Sequence, residues 1–160
     1  MAEFGLEVEP SKTALIAFGS QAAAKAKLTG TRAASFNFLG FTHYVSRTRG
    51  GCFTVGRSTQ RQRFARKLGL FADRLKALRG EGTVAMLQYA RRHIAGHMAY
   101  YAIRGNLRAV RAYVYWASRQ LYRWINRRSQ RRSLDWERFG TILKQWLPPV
   151  RLCSTNPMAP

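Results

Sequence analysis

Apolar positions change their spacing once along this 160-residue chain, near Gly56. Before that point they come in short runs broken by Gly, Ser and Thr. Thr13 to Phe18 is an apolar run ending in Gly19-Ser20, which predicts a strand. Gln21 to Ala34 is rich in Ala, Lys, Thr and Gly, shows no clear apolar face, and is expected to be a loop. Phe36, Phe38 and Phe41 around Leu39-Gly40 predict a second, aromatic strand. Gly50-Gly51 then separates Thr42–Val45 from Cys52–Val55, which signals a hairpin.

After Gly56 the helical period takes over. Ser58 is a suitable N-cap, and Phe64, Leu68, Phe71, Leu75 and Leu78 follow at steps of four and three, one buried helical stripe. Gly80 and Gly82 end it. A second helix is expected from about Thr83 to Ile103, with Leu87, Ala90, Ile94, Met98 and Tyr101 on one side. Gly105-Asn106 punctuates the chain and caps a third, whose stripe is Leu107, Val110, Val114, Ala117, Leu121 and Trp124. A last helix begins near Ser133, with Asp135 and Glu137 in its first turn, where the macrodipole favours acids. Its stripe is Trp136, Phe139, Leu143 and Trp146, and Pro148-Pro149 stops it. The pattern therefore predicts a mainly α protein with a small N-terminal antiparallel β unit and a bundle of three or four helices. Three regions are expected: 1–57, 58–149 and a loose tail, 150–160.

Charge changes the picture most. Lys and Arg number 28 against 7 Asp and Glu, a formal net charge of +21. Glu3, Glu7 and Glu9 precede the first basic residue, so all the cations face only Asp73, Glu81, Asp135 and Glu137. A compact body this cationic repels itself unless a polyanion neutralises it. Nucleic acid fits that description, with an anionic membrane as the rival. Arg outnumbers Lys, and its planar fork suits phosphate pairing and base stacking. An apolar content of 46% rules out a disordered chain. No apolar run approaches the roughly 20 residues of a membrane span. The N-terminus lacks the pattern of a signal peptide, so the cytoplasm is the default location. Cys52 and Cys153 are too few and too far apart for a disulfide framework or a zinc site, and both are expected as free thiols.

The third helix carries the clearest candidate chemistry. Arg104, Arg108, Arg111, Tyr115, Arg119 and Tyr122 share one face, and Arg123 and Arg127 also fall off the apolar stripe. A cationic face interrupted by aromatics can pair phosphates and stack on unpaired bases. Arg127, Arg128, Arg131 and Arg132 then make the connector to the last helix a phosphate clamp. The bland alternative for both is a solvated, solubilising surface. His93 and His97 stand four apart, as helical metal ligands would, yet no third ligand accompanies them. No metal or cofactor is expected, and His97 beside Tyr100-Tyr101 is read as a packing or RNA-facing residue. A two-metal polymerase or nuclease needs carboxylates brought together, and none of the seven acids forms an adjacent pair at a strand turn. The chain is not expected to be an enzyme on its own.

Several stretches resemble one family. Gly5-Leu6-Glu7-Val8-Glu9-Pro10-Ser11-Lys12-Thr13 and Phe36-Asn37-Phe38-Leu39-Gly40-Phe41-Thr42-His43-Tyr44 resemble the last two palm motifs of group II intron reverse transcriptases. Gly96-His97-Met98-Ala99-Tyr100-Tyr101 and Gly105-Asn106-Leu107 are similar to the maturase-specific thumb, domain X. So are Arg128-Ser129-Gln130-Arg131-Arg132, Trp136-Glu137-Arg138-Phe139 and Leu147-Pro148-Pro149. The resemblance runs from about residue 5 to 149 and implies an end-of-palm unit followed by a thumb. It implies that Lys12 protonates departing pyrophosphate if a palm partner exists, and that Phe38, Leu39, Gly40 and Phe41 form a primer grip. It further implies that the helices from Ser58 onward hold structured intron RNA, and possible template–primer duplex, with Tyr100, Tyr101, Tyr115 and Tyr122 stacking on bases. The family's catalytic Tyr-Ala-Asp-Asp turn is not present, and no endonuclease motif follows. RNA binding in support of intron folding and splicing is the expected function. A subunit of an RNA-directed DNA polymerase with a separate palm chain, or a decayed mobile-element remnant, are the alternatives.

Overall fold

The stripe beginning at Phe64 folds as α2, Arg61–Ala77, which buries Phe71 and Leu75 and half-buries Phe64 and Leu68. The computed structural model describes residues 13–127 and 134–153. A single 3-10 turn, Leu78–Gly80, closes α2 and tucks Leu78 into the core. Gly82, at φ 108, then starts α3, Thr83–Tyr101. All five positions of the expected α3 stripe are buried, from Leu87 to Tyr101. α4, Leu107–Asn126, follows Gly105, whose φ of 90 favours glycine. α5, Trp136–Trp146, is capped by Asp135, which accepts a hydrogen bond from the Arg138 amide at 2.7 Å.

α4 is the centre of this assembly, packing against α2, α3 and α5. Its Val110, Tyr113, Ala117 and Leu121 meet Phe71 and Leu75, Met86 and Ile94, and Phe139 of the other helices in one core. The protein is mainly helical, with a small three-stranded antiparallel sheet near its N-terminus. That sheet has the order β1 (Ser35–Phe38), β2 (Phe41–Arg47), β3 (Phe53–Thr59). The described residues fall into two compact units. Those up to Phe38, with His43–Gly56, form one; Leu39–Thr42, with the chain from Arg57 onward, form the other. In the first unit Phe18 packs edge-on against Phe36, which stacks on His43, each at 5.0 Å between ring centroids.

Local readings needed correction at six places. The Ala-rich stretch expected as a loop contains α1, Ser20–Leu28, a helix with no buried residue. Ala and Lys favour helix intrinsically, and a search for an apolar face cannot detect that. Thr13–Phe18 has no regular structure, and Leu15 is fully exposed. A strand needs a paired neighbour, and no ladder reaches this run. The expected aromatic strand is two strands joined by Leu39-Gly40, both at positive φ (48 and 80). That is the dihedral signature of a tight type I′ hairpin. Ser58 is not a cap: β3 extends to Thr59, and Gln60 occupies the N-cap position. α5 starts at Trp136 rather than near Ser133, which lies outside the described residues. The start of the expected loose tail is also tied down, for Val150 packs against the core and the Cys153 amide donates to the Ala102 carbonyl at 2.8 Å. Neither Cys52 nor Cys153 forms a disulfide.

Candidate nucleic-acid interface

The apolar stripe of α4 fixes which of its side chains face outward. With Val110, Tyr113, Ala117 and Leu121 buried, the opposite side presents Arg108, Arg111, Tyr115, Trp116, Arg119 and Arg123, all exposed. Arg127 at its C-terminal end is exposed too, as is Arg104, which precedes the helix rather than lying on it. Among the described residues the one ion pair is between Arg138 and Asp135, at 3.3 Å. Among the described residues no carboxylate forms an ion pair with the α4 arginines. Some are instead ordered by rings: the Arg119 guanidinium bonds the Tyr115 hydroxyl at 3.2 Å and lies 6.0 Å from the centre of Trp136. Arg127 lies 5.2 Å from Trp124. Guanidinium over an aromatic face keeps its outer N–H groups free for an acceptor.

Tyr122 sits at the inner margin of this face. It is half-buried, with Trp136 at 4.9 Å and Phe139 at 5.1 Å. Trp116, 48% exposed, is an aromatic member of the surface that the sequence reading did not single out, and Trp136, expected on the apolar stripe of the last helix, is 45% exposed. The signal was available: Trp116 falls outside the stripe of Val110, Ala117 and Leu121 on the helix, and an exposed Trp is unusual. Arg128, Arg131 and Arg132 of the connector, and Lys12, lie outside the described residues.

The residues at the end of α3 have other surroundings. His97 is 1% exposed and is not on the surface, so its RNA-facing reading is replaced by a packing one. Its ring stacks on Tyr113 at 3.7 Å and on Tyr101 at 4.7 Å, and neither ring nitrogen has a hydrogen-bond partner in the protein. One turn earlier, His93 shares hydrogen bonds with Tyr113, at 2.8 Å, and Tyr89, at 3.3 Å. Burial, helped by the Lys67 ammonium, pushes His93 down to about 4 and His97 down to about 3. Burial pushes the Tyr113 hydroxyl up, beyond its ordinary range. Both histidines are thus neutral core groups, and among the described residues no three metal-ligating side chains come together.

Tyr101 is buried and Tyr100 half-exposed, and both hold the Leu39-Gly40 turn. The Tyr100 hydroxyl donates to the Leu39 carbonyl at 2.7 Å, and Phe41 stacks on Tyr100 at 5.8 Å. A Cβ on Gly40 would stand 2.9 Å from the Tyr101 hydroxyl, so the turn can approach only as glycine. Of the grip-like residues, Gly40 and Phe41 are buried here, while Phe38 and Leu39 are exposed. Beside the turn is a basic groove of about 600 Å³, lined by Gln60, Gln62, Arg63, Arg66, Lys67, Leu70 and Tyr101. The sequence reading missed this cluster because it followed the apolar stripe of α2 and ignored the helix's outer face. Asn106, expected as a simple cap, is buried and makes no capping bond. Its amide accepts from the Thr59 amide N–H at 2.8 Å and donates to the Thr59 hydroxyl and the Tyr101 carbonyl, both at 2.9 Å. That clamp joins the end of β3 to the end of α3.

No helix of the described residues is long and apolar enough to cross a membrane. Comparison with protein-family models, curated proteins and solved structures returns no match.

Proposed function

We propose that this chain is an RNA-binding module of the group II intron maturase type, which helps an intron RNA reach its folded, splicing-competent form. The observation that carries the reading is the outward face of α4, where Arg108, Arg111, Arg119 and Arg123 surround Tyr115 and Trp116 with no carboxylate among them. A net charge of +21 adds long-range attraction to a polyanion. The ordered set of motifs from Gly5 to Pro149 supports intron RNA as the polyanion. The module binds rather than catalyses, since its seven acids include no carboxylate pair suited to holding metal ions.

Replacing Arg108, Arg111, Arg119 and Arg123 together by Ala tests the assignment of the face. Each arginine that neutralises a duplex phosphate contributes about 0.9 to the slope of log affinity against log salt. The fourfold variant is expected to lose about 3.6 from that slope while its melting temperature stays close to wild type, because the side chains are exposed. An unchanged slope places the contacts elsewhere, with the groove of Arg63, Arg66 and Lys67 the next surface to test.

A second reading draws on the Leu39-Gly40 turn, held by Tyr100 and Tyr101 as a fixed element. A turn so anchored suits a primer grip, in which case the chain serves as a subunit of an RNA-directed DNA polymerase. Co-expression with a palm chain bearing the Asp-Asp turn restores DNA synthesis on this reading, and no synthesis refutes it.

A further inference from the structure

The α4–α5 interface opens outward as a groove of about 670 Å³, lined by Trp116, Arg119, Gln120, Tyr122, Arg123, Asn126 and Trp136. Its volume is within the range of sites that hold small organic ligands. Three of the seven lining side chains are aromatic, two are arginines and none is acidic. We infer that this groove receives a single unpaired nucleobase extruded from RNA, stacked against Trp116 or Trp136, with its flanking phosphates on Arg119 and Arg123. The inference rests on the proposed RNA binding by α4 and assigns it a substrate class: bulged or single-stranded nucleotides rather than continuous duplex.

The walls are held in place before any ligand arrives. Trp136 packs on Phe139 at 5.5 Å and Tyr122 on both, so the two outer rings lean on a side chain that is fully buried. The Asn126 amide fixes the chain two residues before Trp136, accepting from the Leu134 amide at 2.7 Å and donating to the Leu134 carbonyl at 3.0 Å. The Asp135 cap sets the first turn of α5 from the other side. Asn126 and Asp135 are therefore positioning residues. Order of this kind removes much of the entropy that stacking would otherwise cost. Yet Trp116 and Trp136 keep nearly half of their surface exposed, more than packing alone requires. Charge decides the occupant: an apolar peptide would fill the groove but leave Arg119 and Arg123 unanswered, whereas a nucleotide satisfies both the rings and the arginines.

The test uses the full chain and two RNA hairpins of equal length, one with a bulged 2-aminopurine and one fully paired. The bulged hairpin is expected to bind about tenfold more tightly, with 2-aminopurine fluorescence quenched on binding. Trp116→Ala and Trp136→Leu should each remove most of that preference and the quenching. Trp136→Phe should restore both, which a structural defect would not do. Equal binding of the two hairpins without quenching overturns the inference and leaves RNA binding by the arginine face intact. Binding of neither hairpin overturns both. Self-association abolished by Trp116→Ala, with no bulge preference, would make the groove a contact between copies and also overturn the inference.

Discussion

At the level of single residues, Asn106 and His97 are the two buried polar groups with the largest consequences. Asn106 satisfies backbone groups on both Thr59 and Tyr101, so its removal strands an N–H and a carbonyl where water does not reach. Asn106→Ala is expected to cost about 3 kcal/mol, measured by denaturant unfolding. Asn106→Asp should recover little, because a carboxylate cannot donate to the Tyr101 carbonyl. The sequence marks position 106 as special, since an Asn after a Gly at a helix start is a cap signal. It cannot show that Thr59, 47 residues earlier, supplies the partner.

His97 and its neighbour His93 predict the acid behaviour of the helical unit. Their folded values, about 3 and about 4, lie below the ordinary 6.5. The unfolded chain therefore binds protons that the folded chain refuses. Stability is intact above about pH 6.5 and falls as the pH drops from there toward 4 and 3. His97→Phe keeps a flat ring between Tyr101 and Tyr113 and removes one titrating group. Thermal melts between pH 7 and pH 4 should show a shallower acid decline in this variant than in the wild type. An identical decline would contradict the assignment of His97 as an uncharged core group.

At the level of elements, the strong helical stripes were legible because burial itself imposes the period that reveals them. α3 buries every position its spacing marked, and α2 and α4 bury or half-bury theirs, though Tyr113 of the α4 core was not among them. Gly82 and Gly105 separate these helices, and α5 ends before Pro148-Pro149, where expected. The outer rings of α4 were only partly legible. Tyr115 shares the spacing of the cationic face, whereas Trp116 falls off that spacing. The weak elements were misread where local chemistry, not burial, decides. α1 buries no residue and is ended by the Thr29 hydroxyl on the Lys25 and Ala26 carbonyls, and the Leu39-Gly40 turn places a leucine at positive φ against its usual preference. Leu39→Asn should relieve that strain and raise stability by about 0.5 kcal/mol, read from the denaturation midpoint, since the Tyr100 hydrogen bond goes to the backbone and survives. A loss of stability would mean that the exposed Leu39 side chain contributes more than its backbone costs.

At the level of the whole molecule, charge and fold act together. A core built on α4 uses one side of that helix for packing and leaves the other to arginine and exposed rings. The excess of cations is therefore displayed in part on a rigid scaffold, where spacing is fixed and a structured partner can be told from a random one. Composition alone points to a polyanion partner. The proposed preference for a shaped RNA would depend on the order of α4 and α5, which no count of charges contains. Electrostatic attraction weakens with salt, whereas stacking and shape fit persist, so raised salt separates the two.

The most direct test is a salt-titrated binding measurement with a folded group II intron RNA against a shuffled RNA of equal length. The account predicts that the intron is preferred and that the preference survives, or widens, as salt rises and overall affinity falls. Equal affinity for both RNAs at every salt concentration would contradict it and reduce the interface to unspecific charge.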